Sequence, residues 1–330
     1  MIFVSYCVII IIDKYCDYFC GKEYKMNKSR TDWFKEAGYG IFAHWTTKSL
    51  PKEGNKKGHA QAVEDFDVEG FTSQVIESGA KFLFFTITHS DMMLPFPLKE
   101  LDEIVPGHTS KRDLISEMAD ILKNNGIKLM FYFNGDGSTD PQWQEATSFK
   151  ENPELHAEYC YKITEAISKK YGKRVHGWWI DCCYEPGICG GRGTRYDYER
   201  YAKALRSGNE DSIVAFNFRG TEPWGSNWGA GIADFQAGEE NDLVFYPNGR
   251  FSGEGGLQWF GLCWMDKFWV HETEGEPVPV HSNEKVLKYV KAVRDGGGVF
   301  AYNVAPYQEG HISEKTLIQL KWLKENGIAD

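Results

Sequence analysis

The sequence lacks the features that mark several common classes of protein. Lys and Arg total 37 against 47 Asp and Glu, which leaves a net charge of -10, and no long basic run occurs. A nucleic-acid partner is therefore not expected. The apolar stretch over residues 2–12 is too short to cross a bilayer, so no membrane span is predicted. No His-x-His or Glu-x-x-His pattern occurs, which removes the strongest local signals for a metal site.

The first 25 residues differ from the rest of the chain. They hold that apolar stretch, but they lack the basic start and the small-residue cleavage site of a signal peptide. A second methionine, Met26, opens the sequence MNKSRTDWF. We therefore expect residues 1–25 to be an apolar appendage or a mis-started segment, and residues 26–330 to form the folded part.

The cysteines beyond this segment favour a reducing environment. They are odd in number and lack the spacing of a metal-binding cluster, as expected of free thiols. This predicts a cytoplasmic protein, whereas a periplasmic or secreted location would follow if residues 1–25 are a real signal. The cysteines in question are Cys160, Cys182, Cys183, Cys189 and Cys263.

Aromatic residues are abundant. They make up 15% of the chain, including 11 Trp and 17 Tyr, and 42% of all residues are hydrophobic. Such a composition supports a large packed core and argues against disorder. It also suits a carbohydrate-binding protein, because the apolar faces of sugar rings stack on aromatic planes.

Short apolar runs alternate with segments of helical period along the chain. The runs are rich in aromatic and branched residues, as strands are, and there are eight of them. They cover residues 39–45, 81–89, 127–134, 175–181, 212–219, 231–237, 257–265 and 297–306. The helical segments cover residues 67–80, 109–126, 152–172, 196–209, 282–297 and 313–327. Strands that alternate with helices predict a parallel sheet, and eight of them predict a closed (β/α)8 barrel of the TIM type.

The helices around this barrel are expected to form an incomplete ring. The intervals after the fifth and sixth predicted strands hold Gly-rich loops in place of a helical pattern. After the last helix only three residues remain, so we predict no C-terminal β-sandwich domain and a single barrel over residues 26–330.

Polar residues stand where the predicted strands end, which is where barrels of this type carry their active sites. The first strand ends on His44 and Trp45, and the second on His89, Ser90 and Asp91. The fourth ends on Asp181 after the apolar sequence GWWI, so this acid is either functional or paired with a cation such as Arg219. After the sixth come Glu239 and Glu240, which are candidates for catalysis or for a solvated turn. Two carboxylates facing a sugar pocket are the equipment that glycoside hydrolysis needs.

A metal enzyme is the competing interpretation. His44, His89 and Asp91 are the candidate ligands, because adjacent strands bring their ends together. The spacing of these residues is a weak signal, and the histidines His59, His108 and His271 lie in loops without partners at ligand spacing. We therefore predict neither a metal nor a cofactor.

Three segments resemble the α-L-fucosidases of glycoside hydrolase family 29. Residues 33–45, WFKEAGYGIFAHW, are similar to the family's opening signature, a Trp-Phe pair followed by Gly-Ile-Phe-x-His-Trp. Residues 112–134 resemble the helix and strand that lead into the third barrel position, and residues 296–327 resemble the closing signature. The resemblance extends over residues 33–327 and implies the fold and activity of that family.

The resemblance also implies roles for individual residues. Family members are retaining hydrolases whose Asp nucleophile follows a Trp on the fourth strand, which places that role on Asp181. The acid/base Glu that some members carry five residues beyond an Asp-Phe pair matches Glu239, and a sugar-binding Arg matches Arg219. The sugar-binding histidines of the family match His44 and His89. The candidates for packing on the apolar face of the sugar are Trp45, Trp179 and Trp224.

Two departures from the family pattern leave alternatives open. The second strand of the family ends in Thr-x-Lys-His-His-Asp-Gly-Phe, whereas this chain has Ser90 in place of the second His. Phe260 stands where some members have a Glu, and Glu222 or Glu240 remain alternatives to Glu239. We predict a retaining exo-glycosidase that cleaves terminal α-L-fucose or a related sugar from glycans through a covalent glycosyl-enzyme. The alternatives are a carbohydrate-binding barrel without hydrolysis and a hydrolase of another sugar, such as galactose.

Overall fold

The computed structural model describes residues 28–183, 196–217, 232–252 and 256–330. Two of the predicted sugar-contacting residues, Arg219 and Trp224, and the alternative acid Glu222 lie outside them. The strands are β1 (Tyr39–Ala43), β2 (Phe82–Thr86), β3 (Lys128–Phe133), β4 (Val175–Ile180), β5 (Ile213–Phe216), β6 (Phe251–Ser252), β7 (Leu257–Gln258), β8 (Phe260–Trp264) and β9 (Val299–Val304). The helices are α1 (Asp32–Ala37), α2 (His59–Asp65), α3 (Val68–Glu77), α4 (Lys99–Asp102), α5 (Leu114–Asn124), α6 (Pro141–Ala146), α7 (Pro153–Tyr171), α8 (Tyr198–Arg206), α9 (Asn283–Asp295) and α10 (Glu314–Glu325). Short 3-10 turns cover Lys28–Thr31 and Gly172–Arg174.

Seven strands form one parallel, curled sheet. Their order is β5, β4, β3, β2, β1, β9 and β8, and every adjacent pair runs in parallel. Sequence neighbours lie side by side and helices make the crossovers, as βαβ units require. The small strands β6 and β7 form a separate antiparallel pair.

The two faces of the sheet bury two different cores. Every second side chain along each strand points to the concave side, where Phe34 from α1 closes the end near the start of the strands. The alternate side chains point to the opposite face and pack under the helices. Gly40 on β1 belongs to the concave side, where a Cβ atom would come within 2.3 Å of the Phe82 ring. Both faces are therefore apolar, as expected for a parallel sheet covered on both sides.

The segment over residues 232–240 hydrogen-bonds to both edge strands of the sheet. On one side the Asp234 amide donates to the Val214 carbonyl of β5 at 2.7 Å. On the other, the Glu240 amide donates to the Leu262 carbonyl of β8 at 2.7 Å, and the Leu262 amide donates to Gly238 at 2.8 Å. The pairing is irregular, since it consists of isolated bridges in place of a regular strand.

An ion pair network fixes the start of this segment. The buried Asp234 carboxylate lies 2.9 Å from Arg30 Nη1 and 2.6 Å from Arg206 Nη2, and it accepts the Val214 amide at 2.9 Å. A buried carboxylate is tolerated when it is paired and hydrogen-bonded in this way. Arg30 precedes β1 and Arg206 ends α8, so the two cations come from distant parts of the chain.

Most predicted elements are confirmed. Each of the six long predicted helices is present, and capping side chains mark their beginnings: Asp67, Asp113, Asn152 and Ser282 each accept the amide three residues further on. Seven of the eight predicted strands contribute to the curled sheet. The predicted strand over residues 257–265 supplies β8 to it, while its first residues form β7 of the separate antiparallel pair. Where the sixth strand was predicted, the structure has the irregular segment over residues 232–240. That this segment closes an eight-stranded barrel stays a prediction. Among the described residues, no helix is long and apolar enough to span a membrane.

Candidate active site

A polar layer lies on the concave side, one step beyond the apolar core. On β1, β2, β4, β5 and β9, the residue two positions after the last inward apolar side chain is polar, and it points to the same side. These residues are His44, Thr86, Asp181, Asn217 and Asn303. Backbone hydrogen bonds extend the sheet to reach three of these residues: the amides of His44, Asp181 and Asn217 donate to Val304, Phe133 and Ile180 at 2.8–3.1 Å. The layer is therefore held by the sheet itself.

The Asp181 carboxylate accepts hydrogen bonds on both of its oxygens. The Tyr132 hydroxyl donates to Oδ2 at 2.6 Å, and the Asn217 side-chain amide donates to Oδ1 at 2.9 Å. Two neutral donors hold the anion at a fixed orientation. The carboxylate is half-buried, which leaves it accessible to a ligand.

Glu239 lies opposite Asp181 across the same asparagine. The Asn217 Nδ2 atom is 3.4 Å from Glu239 Oε1, so one amide nitrogen contacts both carboxylates. The two contacted oxygens are consequently at most about 6.3 Å apart. The structure thus brings the two predicted catalytic carboxylates together.

Glu240 points the other way. Its carboxylate accepts the amides of Asp242 and Val244 at 2.9 and 3.1 Å and the Tyr289 hydroxyl of α9 at 3.2 Å. All of its partners lie on the helix side of the sheet, and the residue is 5% exposed. Glu240 therefore stabilises the turn after the irregular segment.

His44 is held in place by the buried side chain of Asn303. The Nδ1 atom of His44 lies 2.6 Å from Asn303 Oδ1, and its ring stacks on Phe42 at a centroid distance of 4.8 Å. Burial, with a smaller contribution from nearby His89, lowers the pKa of His44 to about 3. The imidazole is therefore neutral at physiological pH.

Three rings form a stack beside this histidine. The Tyr132 ring lies between His89, at 5.7 Å, and Trp179, at 5.3 Å, with interplanar angles of 18° on both sides. Burial lowers the pKa of His89, while the Asp181 charge opposes that change. The Ser90 hydroxyl lies 2.9 Å from His89 Nδ1, so these two neighbouring residues contact each other through their side chains.

Two predicted tryptophans are placed away from the open part of the site. Trp179 is 1% exposed, lies under Tyr132, and donates its indole N–H to the Ala237 carbonyl at 3.0 Å. Trp45 is 2% exposed and packs on Phe66 and Phe85 on the helix side of the sheet. The structure does not bring Trp45 to the carboxylates, because residues 44 and 45 face opposite sides.

Asp91 lies at the edge of the cluster. Its carboxylate accepts hydrogen bonds from the Thr47 hydroxyl and, at 3.4 Å, from the Met93 amide. Its negative charge opposes the effect of burial, which lowers the pKa of both His89 and His59. In the described part of the chain, no group of three or more His, Cys, Asp or Glu side chains is arranged to hold a metal ion.

Sequence reasoning left four contributors to the site unassigned. Trp269 follows β8 and contacts the His44 ring at 5.5 Å and Trp264 at 5.5 Å. Tyr132, Asn217 and Asn303 supply the hydrogen bonds described above. Asn217 and Asn303 are polar residues near the ends of the predicted strands over residues 212–219 and 297–306, which was a usable signal. Trp269 comes from a loop whose path the sequence does not indicate.

Paired carboxylates flanked by histidines and aromatic rings, at the carboxyl ends of a parallel sheet, are typical of a glycoside hydrolase. The family model described as alpha-L-fucosidase matches residues 55–328, and the chain belongs to that family. A comparison with curated protein sequences found no match.

Solved structures share the fold at low sequence identity. The alpha-L-fucosidase isoenzyme 1 from Paenibacillus thiaminolyticus is 18% identical with a TM-score of 0.67, over 92% of this chain and 77% of that one. Unliganded alpha-L-fucosidase AlfC from Lactobacillus casei is 17% identical with a TM-score of 0.63, over 91% and 98%. The endo-fucoidan hydrolase P5AFcnA from glycoside hydrolase family 107 is 13% identical with a TM-score of 0.67, over 94% of both chains.

Proposed function

We propose that this protein is a retaining exo-α-L-fucosidase, with Asp181 as nucleophile and Glu239 as acid/base. The observation that carries the proposal is the contact of Asn217 Nδ2 with both carboxylates, at 2.9 and 3.4 Å. Carboxyl groups about 5–5.5 Å apart are typical of retaining enzymes, while inverting enzymes keep about 6.5–9.5 Å for a water molecule. The limit of about 6.3 Å for one oxygen of each carboxylate lies below the separation typical of inverting enzymes and is compatible with retention.

The reaction proceeds in two displacements. An Asp181 oxygen attacks the anomeric carbon, the glycosidic C–O bond breaks, and the leaving oxygen takes the proton of Glu239. A water molecule then gives its proton to Glu239 and attacks the anomeric carbon, which releases Asp181 and a sugar of the original configuration. The hydrogen bonds from Tyr132 and Asn217 orient the nucleophile and disperse its charge as a leaving group in the second step.

The walls of the site suit a small sugar. His44 and His89 offer ring nitrogens to its hydroxyl groups, and Trp269 offers an aromatic face next to His44. Ser90 is smaller than the family His and contacts His89 Nδ1 with its hydroxyl group. Family membership supports L-fucose as the sugar. Arg219 and Trp224, outside the described residues, stay predicted contacts.

We propose further that residues 232–240 act as the eighth strand of a (β/α)8 barrel. Hydrogen bonds from this segment to Val214 and to Leu262 support closure between β5 and β8. Phe235 and Ala237 belong to the concave core, as an inward strand face requires. In this arrangement residues 26–330 form one catalytic domain.

Azide rescue tests the two catalytic roles separately. With an activated aryl α-L-fucoside, Asp181→Gly should lose turnover and, in azide, form the β-L-fucosyl azide, because azide replaces the nucleophile. Glu239→Ala should form the α-L-fucosyl azide, because azide attacks the glycosyl-enzyme. Native enzyme should release α-L-fucose first, as followed by NMR. First release of β-L-fucose would refute retention, and Glu240→Ala serves as the neighbouring control.

A panel of aryl glycosides tests the sugar. Hydrolysis of the α-L-fucoside above the L-galactoside and D-galactoside is expected, since family membership supports fucose. Binding of fucose without turnover of any glycoside would identify a carbohydrate-binding barrel. Preferential hydrolysis of a galactoside would identify a hydrolase of that sugar.

Endo-hydrolysis of a fucose-containing polymer is a second candidate. The match over 94% of both chains to an endo-fucoidan hydrolase supports it. Product length separates the two activities: an exo-enzyme releases monosaccharide from the start, while an endo-enzyme first releases oligosaccharides.

A further inference from the structure

Asn303 connects two parts of the site. Its Oδ1 atom lies 2.6 Å from His44 Nδ1, and its Nδ2 atom donates to the Trp269 carbonyl at 3.0 Å and approaches the Phe268 carbonyl at 3.5 Å. The side chain is fully buried at the end of β9. The same amide therefore contacts the ring that offers a nitrogen to the sugar and the loop that carries Trp269.

The carbonyl groups decide which way the amide points. Carbonyl oxygens only accept hydrogen bonds, so the donor end of Asn303 must face Phe268 and Trp269. A flipped amide would place its oxygen against both carbonyls and leave buried groups unpaired. The oxygen of Asn303 consequently faces His44, and an oxygen that only accepts requires a hydrogen on His44 Nδ1.

The opposite nitrogen of His44 is then an acceptor. Burial lowers the pKa of this imidazole to about 3, so Nε2 carries no hydrogen near neutral pH. The titratable groups that face the ring are His89 at 5.7 Å and Tyr132 at 4.9 Å. Among the described residues, Nε2 has no hydrogen-bond partner. It is also not one of the enclosed polar side-chain atoms that lack a partner, so this nitrogen is not enclosed.

We propose that Asn303 is a positioning residue for glycoside hydrolysis: it fixes the Nδ1–H tautomer of His44, so that Nε2 accepts a hydrogen bond from a sugar hydroxyl group. Through the Trp269 carbonyl it also holds the aromatic ring that contacts His44. The inference deepens the proposed function and rests on it for the identity of the ligand. The tautomer itself is a property of the free protein.

Imidazole nitrogen NMR of the full-length protein labelled at histidine tests the tautomer directly. His44→Gln assigns the signals. The inference expects a protonated Nδ1 and an unprotonated Nε2 from about pH 5 to pH 8. A protonated Nε2, or a titration within that range, would overturn it whether or not the protein hydrolyses a fucoside. Absence of turnover with the expected tautomer would instead count against the proposed function alone.

Asn303→Asp changes both contacts of the side chain, because it also removes the donor to the Phe268 and Trp269 carbonyls. The titration of His44 then separates positioning from simple support. The carboxylate keeps an acceptor beside Nδ1 but adds a charge that favours the imidazolium, whose Nε2 is a donor. With 4-nitrophenyl α-L-fucoside, kcat/KM should fall about 10- to 100-fold. The loss should be greatest on the acid side, together with a new His44 titration by NMR. An unchanged pH profile in a folded variant would overturn the inference, and the exposed Asn125→Asp is the matched control.

Discussion

Replacement of Asp266 by Asn should lower the free energy of unfolding at acid pH and raise it at alkaline pH. Asp266 follows β8, in the loop that carries Trp269 to His44, and it is 8% exposed. Its Oδ1 atom is enclosed without a hydrogen-bond partner among the described residues. Burial raises the pKa of this carboxyl group from 3.8 to about 7, against the effect of the backbone amides of Asp266 and Phe268.

The magnitude follows from the difference between the folded and unfolded states. The folded-state pKa is the higher one, so the free energy of unfolding is greatest below about pH 4 and declines as the pH rises to about 7. A difference of about three pH units corresponds to roughly 4 kcal/mol. Asn cannot ionise, but its NH2 group lacks a partner there, which costs about 1–3 kcal/mol at every pH. Asp266→Asn should therefore stabilise by about 1–3 kcal/mol at alkaline pH and destabilise at acid pH.

Urea unfolding of both proteins at about pH 4 and about pH 8.5 measures this change. Asp211→Asn, at an exposed position, is the control for removal of a carboxylate. A variant with the same stability difference at both pH values would contradict the assigned burial of an ionisable Asp266.

Three further predictions concern the site and its surroundings. Tyr132→Phe removes one hydrogen bond to Asp181, so kcat on an aryl fucoside should fall about 10-fold with the fold intact by circular dichroism; an unchanged kcat would exclude that contact from the mechanism. The buried His108–Asp140 pair, at 3.1 Å, raises the pKa of His108 and lowers that of Asp140. The pair should stop stabilising the fold when the pH rises through the pKa of His108 or falls through that of Asp140. His108→Gln should therefore lower Tm more at about pH 6 than at about pH 9, and equal losses at both pH values would contradict the pairing. Trp269→Ala should raise KM for the aryl fucoside more than it lowers kcat, because stacking is present in the bound substrate; an unchanged KM would place the sugar elsewhere.

The helices could be predicted from the sequence because their signals are local. Asp113 at the N-cap, the apolar spacing of α5 and Gly126 beyond its end all lie within one short segment. The strands were found from apolar runs for the same reason. Their ends then indicated Asp181 and His44, because polar residues after a buried parallel strand lie at one end of the sheet.

The choice between adjacent residues needed the structure. Parallel strands covered on both faces are apolar on both faces, so no alternation shows which face is concave. Once Phe42 and Ala237 are seen to face the concave core, His44 and Glu239 follow two residues later on the same side. The same alternation sends Trp45 and Glu240 to the helix side.

The irregular course of residues 232–240 could not be predicted from the local sequence pattern. Its position depends on Asp234, whose two arginine partners come from the residues before β1 and from the end of α8. The stack of His89 on Tyr132 likewise joins the segment after β2 to β3. Contacts of this kind depend on tertiary packing, which a periodicity in one segment does not encode.

Trapping of the glycosyl-enzyme tests the central claim most directly. A 2-deoxy-2-fluoro-L-fucosyl fluoride slows both displacements but keeps a good leaving group, so a retaining enzyme accumulates as the covalent adduct. Mass spectrometry of the digested protein should place one 2-fluorofucosyl group on Asp181, and Asp181→Asn should not be labelled. A label on another carboxylate, or turnover of the reagent without any adduct, would contradict the assignment of Asp181 as the nucleophile.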